Sequence, residues 1–163
     1  MNDSTSRDGS EISNLSKNGA IQVTGRVAKP VAFRMNELQA MEIESLEDLF
    51  VICGSGDPKG RIGSCRGVLL ENIIRRADVL KEDHNDTKKM YIVASAYDGH
   101  HVLFSWQEIF NTEVGGGVMV LLEKDGGPLE EDRDRFDLIS ALDFHMGSRY
   151  VKDLKGIEVV LIP

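Results

Sequence analysis

Apolar and polar residues alternate along several short stretches of the chain, as they do in a strand that has one buried face. The stretch 90–96 shows this pattern, and the Asp98-Gly99 pair that follows it is a strong signal for a hairpin turn. Alternating runs, together with short apolar runs bounded by turn residues, predict strands at 21–27, 49–53, 90–96, 101–104, 118–122, 136–141 and 157–162. Strands therefore dominate the expected structure.

Helical spacing, with apolar residues three or four positions apart, occurs only in short segments between these strands. It predicts helices at 35–41 and 68–77, and a third at 105–110, where Ser105 and Glu108 have the spacing of a capping box. Strands and helices do not alternate regularly, as they would in a parallel α/β sheet. The pattern therefore predicts an α+β fold, a single domain of mixed, largely antiparallel strands with short helices.

The first 19 residues are rich in Ser, Asn, Asp and charge, and they contain few large apolar groups. A segment of this composition buries too little apolar surface to offset the entropy lost on ordering. We therefore expect a disordered N-terminal lead at 1–19 and one ordered domain at 20–163.

The chain carries a formal net charge of −8 at pH 7. Nucleic acids and anionic membranes bind positive surfaces, so this balance argues against both as general partners. No apolar run approaches the roughly 20 residues that span a bilayer, and the N-terminus lacks the apolar core of a signal peptide. We expect a cytoplasmic protein, or a periplasmic one if a signal peptide has been removed.

The segment 51–70 is the one most suggestive of chemistry. A predicted strand ends there at Cys53, and a glycine-rich loop that carries Lys59, Arg61 and Arg66 follows it. Neighbouring cations stabilise a thiolate, so Cys53 is well placed to be a metal ligand or a nucleophile. Exposed backbone amides beside cations also suit an anion. The plainer alternatives are a small buried cysteine that closes a strand and a solvated, charged loop.

Six motifs along the chain follow one another in the order that is typical of one family. They are a glycine-to-proline opening at 25–30, Cys53 at a strand end, a glycine-valine-leucine segment within 65–74, an Asp-Gly turn within 95–100, a Gly-Pro-Leu turn at 125–129 and a closing segment at 150–159. Together, over roughly residues 21–162, they resemble the molybdopterin-binding domain of the sulfite oxidase family.

The resemblance implies a molybdenum-molybdopterin cofactor, with Cys53 as both metal ligand and catalytic residue, because thiolate is a soft donor that suits such a metal. It implies transfer of an oxygen atom to or from a small sulfur or nitrogen compound, and a redox partner protein. Contacts to the cofactor are expected from five side chains, which are Lys59, Arg61, Arg66, His100 and Arg149.

The last two of these contacts depend on where their loops lie. His100 and His101 follow the predicted turn, so one of them is expected to face inward, where it would hydrogen-bond the pterin or an oxo ligand. Arg149 belongs to the late loop 143–149, which in relatives lies near the cofactor and carries basic residues. The alternatives are a turn histidine bonded to backbone and an ordinary surface loop.

Departures from the family pattern leave two other functions open. Cys65 stands where the family has Trp, His100 stands where it has Tyr, and the segment 132–136 replaces a Gly-Pro-Leu-Arg run. The chain is also shorter than the full enzymes. These features favour a non-catalytic binding or interaction module that keeps the fold without the cofactor. The other alternative is a thiol redox protein in which Cys53 and Cys65 form a disulfide across the loop.

Overall fold

A computed structural model describes residues 19–163, so the predicted lead lies outside the described residues except for Gly19. The strands are β1 (Ala20–Gly25), β2 (Val31–Arg34), β3 (Glu44–Ile52), β4 (Pro58–Leu69), β5 (Met90–Ala96), β6 (His101–Ser105), β7 (Val118–Lys124), β8 (Gly127–Pro128), β9 (Asp137–Ser140) and β10 (Leu154–Leu161). The α-helices are α1 (Met35–Gln39), α2 (Leu70–Arg76) and α3 (Trp106–Asn111). Short 3-10 helices lie at Asp86–Lys89, Glu113–Gly117 and Met146–Arg149.

Five strands form the first sheet, in the order β2-β1-β10-β5-β6. Neighbouring strands are antiparallel except for β1 and β10, which run parallel. Along β5 the side chains of Met90, Ile92 and Ala94 are buried, while the residues between them are partly exposed. The alternation seen in the sequence therefore corresponds to one face of this sheet that is turned to the core.

The second sheet has the order β3-β4-β7-β8, and β9 also pairs with β7. Alternate residues of β7 enter two different cores. Val120 belongs to the main core, which also takes Val23 from the first sheet and therefore lies between the two sheets. Met119 belongs to a smaller core with Ile62 and Met146 on the opposite face of the second sheet. Because both faces of β7 are covered, it is a continuous apolar run.

The predicted α+β fold with largely antiparallel strands is confirmed. The capping box of α3 is also present, since the Glu108 amide donates to Ser105 Oγ at 3.0 Å and the Ser105 amide donates to Glu108 Oε1 at 2.9 Å. The strand predicted at 49–53 begins earlier, at Glu44, and the helix predicted at 68–77 begins at Leu70 because β4 continues to Leu69. No helix within residues 19–163 is long and apolar enough to cross a membrane.

The prediction of a glycine-rich loop after Cys53 is wrong for most of its length. Pro58–Leu69 is a single strand that pairs antiparallel with β3. The first four residues of β4 are all exposed, so this end of the hairpin has no buried face and shows no apolar alternation. Pairing with β3 supplies the hydrogen bonds that hold the segment extended despite its unfavourable composition. Only the short connection between the two strands is a turn.

Candidate functional site

Cys53 lies in the tight turn that joins β3 to β4. The Cys53 amide donates to the carbonyl of Asp57 at 2.9 Å, and the Gly56 amide donates to the carbonyl of Cys53 at 2.8 Å. Gly56 has a φ of +91°, in the left-handed region that glycine adopts without steric cost. The turn therefore fixes the backbone that carries the thiol, and it leaves the side chain partly accessible.

The thiol of Cys53 belongs to a short hydrogen-bonded chain. Its Sγ lies 2.8 Å from Ser55 Oγ, which in turn donates to Asp57 Oδ2 at 3.1 Å. The serine hydroxyl has one proton, so it donates to Asp57 while Cys53 is a thiol and turns toward Sγ when Cys53 is a thiolate. The Ser55 hydroxyl, followed by the backbone amides of Ser55 and Asp57 and the charge of Lys59, lowers the pKa of Cys53 against a smaller opposing effect of desolvation. This environment favours the thiolate.

The turn packs against the 3-10 helix at Met146–Arg149. A Cβ on Gly147 would lie 2.6 Å from the carbonyl oxygen of Ile52 and 3.2 Å from the Cα of Cys53, so only glycine allows this approach. On the other side of the turn, a Cβ on Gly54 would lie 3.0 Å from Ser148 Oγ. The late segment of the chain therefore supports the backbone on which Cys53 sits.

A cleft of about 340 Å³ opens beside this turn. Its lining residues come from β3 and β4, the β5–β6 turn, the end of β7 and the segment that leads into β10: Val51, Lys59, Gly60, Arg61, Ile62, Asp98, His100, Lys124, Gly147, Tyr150 and Lys152. Cys53 is not among them, but its backbone packs against Gly147, which does line the cleft. Three of the residues predicted as cofactor contacts, Lys59, Arg61 and His100, are thus brought to one place.

Positive charge dominates the lining of the cleft. Lys59, Lys124 and Lys152 form no ion pair or hydrogen bond with a carboxylate in the part of the chain that the structure describes, whereas Arg61 pairs with Asp48. The single carboxylate in the lining, Asp98, accepts the backbone amide of His100 at 2.9 Å. A cleft with this balance attracts anions.

Tyr150 brings a fixed hydroxyl to the same cleft. Its OH donates to Asp137 Oδ2 at 3.1 Å, and Asp137 is buried and also accepts the amide of Asp153 at 2.9 Å. Burial and the Asp137 carboxylate raise the pKa of Tyr150 well above its usual range. The phenol therefore stays protonated, and its oxygen retains a lone pair that can accept a hydrogen bond from a ligand.

No model of a protein family matches this chain, and no curated protein matches it. Among solved structures, the sulfane dehydrogenase SoxCD from Paracoccus pantotrophus matches it in fold, with a TM-score of 0.63 and 15% sequence identity. The match covers 89% of this chain and 39% of that one, so the chain spans well under half of the SoxCD chain. At this identity the likeness shows the fold. The similarity to a sulfur-compound dehydrogenase bears on function only as support for a proposal.

The prediction that one of His100 and His101 faces inward is wrong. Both are exposed. His101 Nδ1 is hydrogen-bonded to Ser95 Oγ at 2.7 Å, on the outer face of the first sheet. His100 reaches the cleft from the solvent side, because the β5–β6 turn extends past the edge of the core.

Arg149 lies away from the cleft, contrary to the expectation for a cofactor contact. Its guanidinium donates to both carboxylate oxygens of Asp143 at 2.8 Å, and to Glu108 Oε2 and the carbonyl oxygen of Leu103 at 3.0 Å. It also stacks over the ring of Phe104, with 4.3 Å between Cζ and the ring centroid. These contacts engage most of its donors, so Arg149 ties the late loop to β6 and α3.

Arg66 is also remote from the cleft. It lies on β4 seven residues after Lys59, which at ~3.3 Å per residue places it about 23 Å away along the strand. Its guanidinium pairs instead with Glu123 on β7 at 3.4 Å. The glycine-rich segment is a strand rather than a closed loop, and Arg66 pairs with Glu123 instead of lining the cleft with Lys59 and Arg61.

The same strand separates the two cysteines. Cys53 directly follows Ile52, which pairs with Pro58, whereas Cys65 pairs with Leu46 near the other end of the hairpin. About seven residues of strand, or ~23 Å, lie between them, far more than the ~4.4–6.8 Å between the Cα atoms of a disulfide. Both cysteines are free, and Cys65 is buried. The geometry excludes the disulfide hypothesis for this fold.

Lys124, Lys152 and Tyr150 are cleft residues that sequence reasoning missed. Lys124 ends a buried strand and Lys152 precedes another, and neither position has a recognisable motif around it. The pairing of β4 with β7 sets Lys124 opposite Cys65, and the bridge between Leu138 and Val151 holds the segment of Tyr150 and Lys152 beside the same sheet. Among the residues that the structure describes, no group of three or more His, Cys, Asp or Glu side chains could hold a metal ion.

Proposed function

We propose that this domain binds a molybdenum-molybdopterin cofactor through Cys53 and acts as an oxidoreductase that transfers an oxygen atom to or from a small sulfur or nitrogen compound. The observation that carries the proposal is a partly accessible thiol with a lowered pKa, in a turn that packs against Gly147 of a cationic cleft. Support also comes from the fold, which is shared with a sulfane dehydrogenase, and from the order of the sequence motifs.

The residues present fit such a group in their donor chemistry. A thiolate is the soft anionic ligand that molybdenum retains, and Cys53 offers one in a rigid turn. The pterin carries a phosphate, and cations such as Lys59 and Arg61 suit it. When bound, the cofactor would supply the metal-centred, two-electron oxo-transfer chemistry.

The protein's own residues would bind, orient and hold protons. Cys53 anchors the metal end of the cofactor, while Lys59 and Arg61 hold its anionic end. Tyr150, kept protonated and oriented by Asp137, presents an oxygen that can position a polar substrate group in the cleft. A small-molecule substrate and a redox partner protein complete the proposed reaction.

A second candidate function is a non-catalytic anion-binding module with the same fold. The observation that favours it is the exposure of the cleft, since Lys59, Arg61, His100 and Lys152 are all exposed to solvent. Two of the five predicted cofactor contacts, Arg66 and Arg149, lie elsewhere. In this alternative the cleft binds its ligand without a metal, and the Cys53 thiol is dispensable.

Metal retention by cysteine variants separates the two candidates. Protein is produced in a host that synthesises the cofactor, and molybdenum is measured after gel filtration. We expect Cys53→Ser to lose molybdenum, because a serine hydroxyl is a far weaker donor than a thiolate. Cys65→Ala is the control, since Cys65 is buried in the smaller core and lies at the other end of the hairpin from Cys53, and it should retain the wild-type content. Full molybdenum in the Cys53→Ser protein would refute the proposed ligand.

A further inference from the structure

The charge of the cleft is unusual for this protein. Acidic residues outnumber basic ones, 27 to 19, yet four cations and one carboxylate line the cleft. Like charges gathered in a cleft repel one another and raise the local potential, which costs stability. An acidic chain has carboxylates available to neutralise such a cluster, but within the described residues none pairs with Lys59, Lys124 or Lys152. A bound anion would relieve this repulsion.

Within the described residues, three cleft lysines have no carboxylate partner, one more than a single phosphate group needs. A phosphomonoester carries about −1.5 to −2 at neutral pH, which two cations can balance. Here Lys59 and Arg61 come from the hairpin, Lys124 from the end of β7 and Lys152 from the segment before β10. Cations thus approach from three separate parts of the chain and can contact more than one phosphate group.

The size and remaining lining of the cleft point to an organic ligand. A volume of about 340 Å³ lies in the range of small-molecule sites. Val51 supplies partly exposed apolar surface, and Tyr150 supplies an aromatic ring that its hydrogen bond to Asp137 holds in place. An inorganic ion would leave this part of the cleft unused.

We propose that the cleft binds a small organic diphosphate, of the nucleoside diphosphate class, with the diphosphate among Lys59, Lys124 and Lys152 and the organic part against Val51 and Tyr150. This inference goes beyond the proposed function because it does not need the Cys53 thiolate. A cofactor phosphate would use the same cations, so binding is measured on protein made in a host that lacks the molybdenum cofactor.

The probes are ADP, AMP and inorganic phosphate, titrated calorimetrically at low salt without divalent cations. We expect ADP to bind about tenfold more tightly than AMP, because the second phosphate meets further cations, and inorganic phosphate to bind most weakly. The affinity for ADP should fall as salt is raised. Equal affinity for ADP and AMP, or no binding at millimolar ADP, would overturn the proposal.

Charge reversal locates the site. Lys59→Glu and Lys152→Glu change exposed residues, so the fold should persist, which circular dichroism checks. Each should weaken ADP binding by about tenfold or more. Lys88→Glu makes the same charge change at an exposed residue outside the cleft and should leave the affinity unchanged. Equal weakening by Lys88→Glu would show a general charge effect and refute the site. A Cys53→Ser protein that no longer retains molybdenum but still binds ADP would show that metal ligation and diphosphate binding depend on different residues.

Discussion

Two cysteines in this chain have opposite chemistry because their surroundings differ. Cys53 sits in a turn beside a hydroxyl, backbone amides and a lysine, and these lower the pKa of its thiol. Cys65 is buried in the smaller core, and desolvation raises its pKa. At the scale of single residues, only Cys53 is suited to ligate a metal or to react with a reagent in solution.

The hydrogen bond from Ser55 gives the first prediction. We expect Ser55→Ala to raise the pKa of Cys53, since the hydroxyl is the largest influence that lowers it. The pH dependence of alkylation by iodoacetamide measures this, and the midpoint should move to higher pH. Ser148→Ala is a control, because Ser148 lies near Gly54 rather than bonded to the thiol. An unchanged midpoint in Ser55→Ala would contradict a role for the Ser55 hydroxyl in stabilising the Cys53 thiolate.

The Arg149–Asp143 pair gives a prediction about stability. Partial burial raises the pKa of Asp143, but hydrogen bonds from Arg149 and Ser140 outweigh it and hold the pKa below its ordinary value. Arg149→Met should lower the free energy of unfolding by about 2 kcal/mol at neutral pH. A lowered carboxylate pKa stabilises the fold above the unfolded-state value and ceases to do so in acid, so the deficit should shrink below about pH 4.

Urea denaturation at neutral and acidic pH measures that deficit. Arg66→Met is the matched control, because Arg66 forms an exposed pair with Glu123 and its loss should cost less than about 1 kcal/mol. A deficit for Arg149→Met that does not change with pH would show that its contribution comes from packing on Phe104 rather than from the ion pair.

Among the strands, β5 is predicted by its sequence pattern, whereas the outer part of β4 in the β3–β4 hairpin is not. The alternation in β5 predicts a strand because one face is buried. The outer part of β4 carries glycine and charge, which favour a loop, yet β3 holds it extended. The alternation of apolar and polar residues arises because one face of a strand is buried. A strand that is exposed on both faces therefore lacks this alternation. Cys53 directly follows the end of β3, close to the predicted strand end. Arg66 and Cys65 lie on β4, so a prediction that treats this segment as a loop misplaces both of them.

Gly67 gives a prediction for the pairing of β4 with β7. A Cβ at this position would lie 2.1 Å from the carbonyl oxygen of Val120, and this neighbour is backbone, which cannot move aside without disturbing the sheet. Gly67→Ala should therefore lower the free energy of unfolding by about 3 kcal/mol or prevent folding. Gly116→Ala has no atom within 4 Å of its new Cβ and should change stability by less than about 0.5 kcal/mol. Thermal unfolding of both variants compares them, and equal stability would contradict the observed close approach.

At the scale of the whole molecule, the cleft is a product of long-range topology. The sequence motifs indicated Lys59, Arg61 and His100, which line it, but also Arg66 and Arg149, which do not. Nothing local marks the remaining lining residues, because the pairing of distant strands decides which segments meet. The α+β class followed from the succession of short strands and helices, whereas the parallel pairing of β1 with β10 joins the two ends of the domain and has no local signal.

We propose above all that this domain binds a molybdenum-molybdopterin cofactor. The most direct test is elemental analysis of the wild-type protein for molybdenum, together with pterin fluorescence after oxidative release, on protein made in a host that synthesises the cofactor. We expect near-stoichiometric molybdenum accompanied by pterin. Protein that contains neither, from a host that loads a control molybdenum enzyme, would contradict this proposal and favour the non-catalytic anion-binding module.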